Sequence, residues 1–118
     1  MVDKAKHRLP PMIVDAKLME EIVRRITVLI RPRKIVLFGS RARGQARSDS
    51  DIDLLVIADC PEPRYRRAAP LYGALSDILA SMDIMIYRPE EVEEWSQVRQ
   101  AFVTTALREG IVLYENEG

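Results

Sequence analysis

The sequence predicts an α/β fold, on three observations. Apolar residues recur at helical spacing in several segments, short β-branched apolar runs lie between those segments, and Pro or Gly punctuates most junctions. The 118 residues include 18 Lys plus Arg and 18 Asp plus Glu, with 47% hydrophobic and 31% charged residues, a globular balance. A chain of this length is expected to form one domain that buries roughly two-thirds of its unfolded surface.

Residues 1–14 carry Lys4, Lys6, His7 and Arg8, then Pro10 and Pro11, and are expected to form a flexible arm ahead of a single domain over 15–118. Asp15 suits the N-cap of a helix reaching about Arg31, with Leu18, Ile22, Ile26 and Leu29 on its buried face and Pro32 ending it. Ile35 to Phe38 is a strand that closes into Gly39-Ser40, and Ala42 to Arg47 is a short helix or a loop. Ile52 to Ala58 is a second strand whose near-continuous apolar run implies cover on both faces. Leu71, Leu75, Ile78 and Leu79 place a helix over about Tyr65 to Ser81, followed by a strand from Met82 to Tyr87. Pro89 fits the first turn of a further helix whose positive end is loaded with Glu90, Glu91, Glu93 and Glu94. Val92, Trp95, Phe102 and Ala106 set its buried face, Gly110 its C-cap, and Ile111 to Tyr114 a last strand.

Composition excludes several roles. A net charge of zero argues against a nonspecific nucleic-acid coat, so no direct nucleic-acid binding is expected. One cysteine, Cys60, makes neither an intramolecular disulfide nor a cysteine-rich zinc site. No apolar stretch approaches the length needed for a bilayer span or a signal peptide, so no membrane association is expected and a cytoplasmic protein is.

The chemistry lies in Ile35 to Ile57, IVLFGSRARGQARSDSDIDLLVI. A strand ends in Gly39-Ser40, an arginine-bearing loop follows, and a second strand opens with Asp51-Ile52-Asp53. Alternation puts Asp51 and Asp53 on one face with Ile52 in the core. Two carboxylates so placed repel unless a cation joins them, and Mg²⁺ takes a few carboxylates together with substrate phosphates and water. Asp83 on the third strand completes a trio if that strand lies beside the second. An ordinary D-x-D is a solvated strand start, turns being rich in Asp and Ser.

Familiar motifs fail on the same letters. Gly39 and Gly44 have the P-loop spacing, but Gln45 and Ala46 stand where Lys and Ser or Thr are required. An EF-hand begun at Asp49 has Leu54 at the glycine position and Cys60 at the bidentate position. No nucleophile elbow or H-E-x-x-H helix is present, and the single histidine is in the arm.

Gly39-Ser40, ten residues, then Asp51-x-Asp53 resembles the signature of the nucleotidyltransferase superfamily of DNA polymerase beta, and more closely its minimal prokaryotic members. Ala42, Arg43, Gly44, Ser50 to Leu54 and the ending Glu109 to Glu115 are similar too, so the likeness spans about residues 15–115. It implies a small mixed β-sheet flanked by helices, with Gly39 and Ser40 on the triphosphate. It also implies Asp51, Asp53 and Asp83 on two Mg²⁺ or Mn²⁺ ions, with Asp83 accepting the proton of the attacking hydroxyl. Arg41, Arg43 and Arg47 are candidates for the leaving phosphates on chemistry and proximity alone.

The resemblance implies transfer of AMP from ATP to a hydroxyl. Larger relatives carry a helical domain that shapes the acceptor site, and 118 residues leave no room for one. The minimal subgroup implies a partner instead: a helical HEPN-type toxin, adenylylated on a tyrosine and so silenced by this chain as antitoxin. Two alternatives stand beside it, a non-catalytic antitoxin that covers its partner and a transferase acting on a small molecule in a pocket completed by a partner. Homo- or hetero-oligomerisation is left open.

Overall fold

Asp15 caps the first helix as expected: its carboxylate accepts the Leu18 N–H at 2.9 Å at the start of α1 (Ala16–Ile30). The computed structural model describes residues 15–47 and 49–116, and the expected arm over 1–14 lies outside them. Arg31 takes the left-handed conformation, φ 49°, and closes α1 before the buried Pro32. Ile22 and Ile26 are fully buried, but Leu29 is 47% exposed; the stripe continues through Ile30, four residues after Ile26, which packs on the core instead.

The remaining elements follow in order: β1 (Lys34–Phe38), β2 (Ile52–Ile57), α2 (Arg64–Arg67), α3 (Ala69–Ala74), β3 (Met82–Tyr87), α4 (Pro89–Trp95), α5 (Phe102–Glu109) and β4 (Ile111–Glu115). They form a mixed four-stranded sheet in the order β3-β2-β1-β4, flanked by helices. β1 runs antiparallel to both β2 and β4, while β2 and β3 are parallel.

Two expected helices are broken. The segment from Tyr65 to Ser81 divides into α2, α3 and a run of turns, because Pro70 has no N–H for the preceding turn and its ring clashes with a continuous helix. The segment after Pro89 divides into α4 and α5 at residues 96–101. There the Ser96 hydroxyl donates to Glu93 O at 2.7 Å and Thr104 Oγ1 to Trp95 O at 2.8 Å, taking carbonyls that a continued helix would use.

The sheet has apolar packing on both faces, as the run in β2 implied. Ile35, Leu37, Leu54, Val56, Ile84 and Ile86 meet α1 and α3 on one face. Val36, Leu55 and Tyr87 meet Val103 and Ala106 of α5 on the other. Gly110 is the C-cap of α5 as expected, its N–H donating to Ala106 O at 2.8 Å, and it takes an extended conformation. Its role is proximity, since a Cβ there would collide with the Val36 side chain and lie 2.8 Å from Leu37 O. Among the described residues, no helix is long and apolar enough to cross a membrane.

Candidate active site

Strand parity decides which face carries the chemistry. Asp53 pairs in register with Asp83 across the parallel β2–β3 ladder and with Phe38 across the antiparallel β1–β2 ladder. Asp53 alternates with Leu55, and Asp83 with Met85 and Tyr87, so both carboxylates stand on the face covered farther along by α5. Asp51 shares their parity one residue before β2. Asp53 is half-buried, whereas Asp51 and Asp83 are exposed at the open start of the strands.

The Gly39-Ser40 corner leans on this group. Gly39 has φ +78°, and a Cβ at that position would collide with Asp53 Oδ2. Beyond it the chain makes one helical turn: the Arg43 N–H donates to Gly39 O at 3.2 Å, the Gln45 N–H to Ser40 O at 2.9 Å, and Gly44 at φ +72° reverses the chain. The backbone approaches a carboxylate here as closely as only glycine permits.

Electrostatics couples the three acids. Partial burial pushes the Asp53 carboxyl above the ordinary aspartate range, and the charges of Asp83 and then Asp51 push it further; Arg41 and Arg43 oppose the shift. Among the described residues the ion pairs formed do not include these aspartates, although the Arg41 and Arg43 charges reach Asp53. Nor, among those residues, do any three His, Cys, Asp or Glu side chains already stand close enough to enclose an ion. The carboxylates are gathered and mutually repelling, but not drawn into a finished cage.

A family model for the nucleotidyltransferase domain of polymerase beta matches residues 20–118. The chain belongs to that family. It is 32% identical over 104 residues to a protein of Methanocaldococcus jannaschii whose name proposes it as a protein adenylyltransferase, covering 85% of this chain and 98% of the relative. The crystal structure of a toxin–antitoxin with AMP-PNP shares its fold, at TM-score 0.52 and 22% identity over 88% of this chain and 76% of that one. A variant of the toxin–antitoxin MntA–HpeT does so at TM-score 0.51 and 20% identity, with the same coverage.

The arginines of this nucleotidyltransferase occupy different positions. Arg41 Nε and Nη2 donate to Ser50 O at 3.2 and 2.7 Å, pinning the corner loop to the residue before Asp51. Arg43 is exposed, donates to Gln45 Oε1 at 3.1 Å, and lines a cavity beside Gly39. Arg47 is exposed as well; its backbone N–H donates to Ser50 Oγ at 2.8 Å. Arg67 of α2, an arginine that hydrophobicity alone would leave in solvent, is 5% exposed. It pairs with Glu91 at 2.7 Å and donates to Ile86 O and Glu62 O, tying α2 and α4 to the end of β3.

Trp95 and Phe102, expected in the core, are 41% and 40% exposed. The break between α4 and α5 brings both to the protein's edge, and Phe102 sits edge-on to Phe38 with ring centroids 5.1 Å apart. The signal for this was the α5 face itself, where Thr105 and Glu109 interrupt what a core-facing stripe would keep apolar.

Proposed function

We propose that this nucleotidyltransferase transfers AMP from ATP to a protein hydroxyl, a tyrosine of a HEPN-type helical toxin, and thereby acts as a cytoplasmic antitoxin. The observation that carries the chemistry is the register pairing of Asp53 with Asp83 beside a corner that only glycine can form. The acceptor class is supported by the relative's name, and the pairing by toxin–antitoxin structures among those that share the fold.

The donor set suits Mg²⁺ or Mn²⁺, two ions held by Asp51, Asp53 and Asp83. It is all oxygen, its carboxylates repel one another, and it is open enough that triphosphate and water complete the coordination. Bound there, the cations supply charge stabilisation for the entering and leaving oxygens of an in-line displacement. Gly39 and Ser40 cradle the phosphates through backbone N–H groups and the hydroxyl, and Arg41 keeps that loop seated on Ser50. The acceptor oxygen forms a bond to the α-phosphorus, the bond to pyrophosphate breaks, and the hydroxyl proton passes to Asp83. Asp83 suits that role because it stands exposed on the edge strand, where a large acceptor can approach. Arg43 and Arg47, both exposed beside the corner, are placed to meet the departing phosphates.

The test is to incubate the protein with Mg²⁺, α-labelled ATP and the product of the neighbouring gene, then locate the label. Label on a tyrosine of the partner, lost in Asp51→Asn and Asp53→Asn, is the expected result. Full neutralisation of the partner by those variants without labelling would overturn the proposal in favour of a covering antitoxin. Labelling of a small molecule alone would move the acceptor class.

A further inference from the structure

We infer that the cavity between the Gly39 corner and α5 takes the nucleobase of the donor nucleotide, with the Phe102 ring as its stacking platform. The inference rests on the nucleotidyltransferase function proposed above and adds a base subsite to it.

The cavity has a volume of about 150 Å³, and its lining includes Phe38, Gly39, Arg43, Phe102, Ala106 and Glu109. Pockets that bury a whole drug-sized ligand run to roughly 300–1,000 Å³. This one therefore suits a single ring system whose ribose and phosphates remain outside, at the corner.

Phe102 is the residue that such a ring would meet. It is 40% exposed, whereas its helix neighbours Val103 and Ala106 are 2% and 4% exposed, so α5 is anchored without it. Phe38 holds one edge of the ring at an interplanar angle of 77°, and Tyr87 lies tilted 35° to it at 6.4 Å. A large aromatic surface is thus kept in a defined orientation and left partly uncovered, which limits the ordering cost of a stacked ligand. Phe38 also fixes the distance: it is the register partner of Asp53 and the residue before Gly39, so platform, carboxylate and phosphate corner meet at one strand end.

The lining fits an aromatic heterocycle: Glu109 offers carboxylate acceptors for its N–H groups, and Phe102 and Ala106 offer apolar surface. The second cavity that touches Phe102 is a poorer candidate. It is bounded by Arg64 and Tyr87, and the Arg64 guanidinium already lies 4.5 Å above the Tyr87 ring.

Binding of ATP and of inorganic tripolyphosphate, each with Mg²⁺, should be measured by calorimetry for the unaltered protein, Phe102→Ala and Phe102→Leu. Base–aromatic stacking of roughly 1–3 kcal/mol corresponds to an ATP affinity about 5- to 140-fold weaker in Phe102→Ala. Tripolyphosphate affinity should stay within about twofold. Phe102→Leu keeps apolar bulk without the ring, so it should also weaken ATP selectively, and it decides the matter if the alanine variant melts below the assay temperature. Equal ATP binding by all three proteins, or parallel loss of ATP and tripolyphosphate, would overturn the base subsite alone. Failure of the unaltered protein to bind either ligand would instead remove the nucleotidyltransferase function on which the subsite depends.

Discussion

Replacing Gly39 by alanine should damage stability and ligand binding together, because one added methyl group meets two separate obstacles. The backbone sits at φ +78°, where a Cβ costs roughly 1–2 kcal/mol. The methyl group also collides with Asp53 Oδ2, and such overpacking costs typically about 1–3 kcal/mol. Reduced freedom of the unfolded chain returns roughly 0.4–1 kcal/mol. The net loss is about 1–5 kcal/mol, centred near ~3 kcal/mol, or roughly 10 °C in Tm for a domain of this size. Gly44→Ala is the internal control. Its φ is similar, +72°, but nothing lies within 4 Å of its added methyl group, so only the backbone penalty of about 1 kcal/mol remains. Calorimetric melts with and without Mg²⁺ and ATP read both quantities. Because the Gly39→Ala clash is relieved by displacing the Asp53 carboxylate, that variant should also lose the ligand-induced rise in Tm, while Gly44→Ala keeps it. Equal melting temperatures and equal ligand shifts in the two variants would refute the link between the corner and Asp53.

Three further outcomes are expected. Asp53→Asn should abolish transfer yet raise Tm in metal-free buffer at neutral pH. The native Asp53 carboxyl is raised, so its contribution is fully favourable below the ordinary aspartate pKa of about 3.9 and is lost as pH climbs through the folded value; the advantage of asparagine should grow over that same interval in pH-dependent melts. Glu91→Gln should cost about 3 kcal/mol in denaturant unfolding, since it leaves the buried Arg67 guanidinium without its counter-charge. The Arg67 hydrogen bonds hold the Glu91 carboxyl down to about 2 from 4.5, so the pair's stabilisation is present above 4.5 and fades as pH falls toward 2, a loss the glutamine variant should not show. Finally, ATP with Mg²⁺ at about a hundred times its Kd should add roughly 2.7 kcal/mol of stability, readable as a thermal shift, and Asp51→Asn should erase it.

The strands and the motif were legible because their signals are local. Met82–Tyr87 is bounded by residues that fix its ends, and parity placed Asp51 and Asp53 on one face before any pairing was known. The adjacency of Asp83 to Asp53 needed the β2–β3 pairing, which no local signal contains. Helix continuity failed where a residue acts through the chain behind it: Pro70 denies a hydrogen bond to the preceding turn, and Thr104 takes the Trp95 carbonyl across the α4–α5 break. Arg41 was readable as a charge near phosphate, but its donation to Ser50 O depends on how the loop folds back before β2. Phe102 reads as a core aromatic from hydrophobicity alone; only the position of α5 against the end of β1 leaves its ring beside a cavity.

A crystal structure with Mg²⁺ and AMP-PNP would go directly to the heart of the matter. Metal density bridging the side chains of Asp51, Asp53 and Asp83, with the α-phosphate against it and the β- and γ-phosphates over Gly39-Ser40, is the arrangement expected. A triphosphate seated elsewhere, or cations that leave Asp83 untouched, would contradict it.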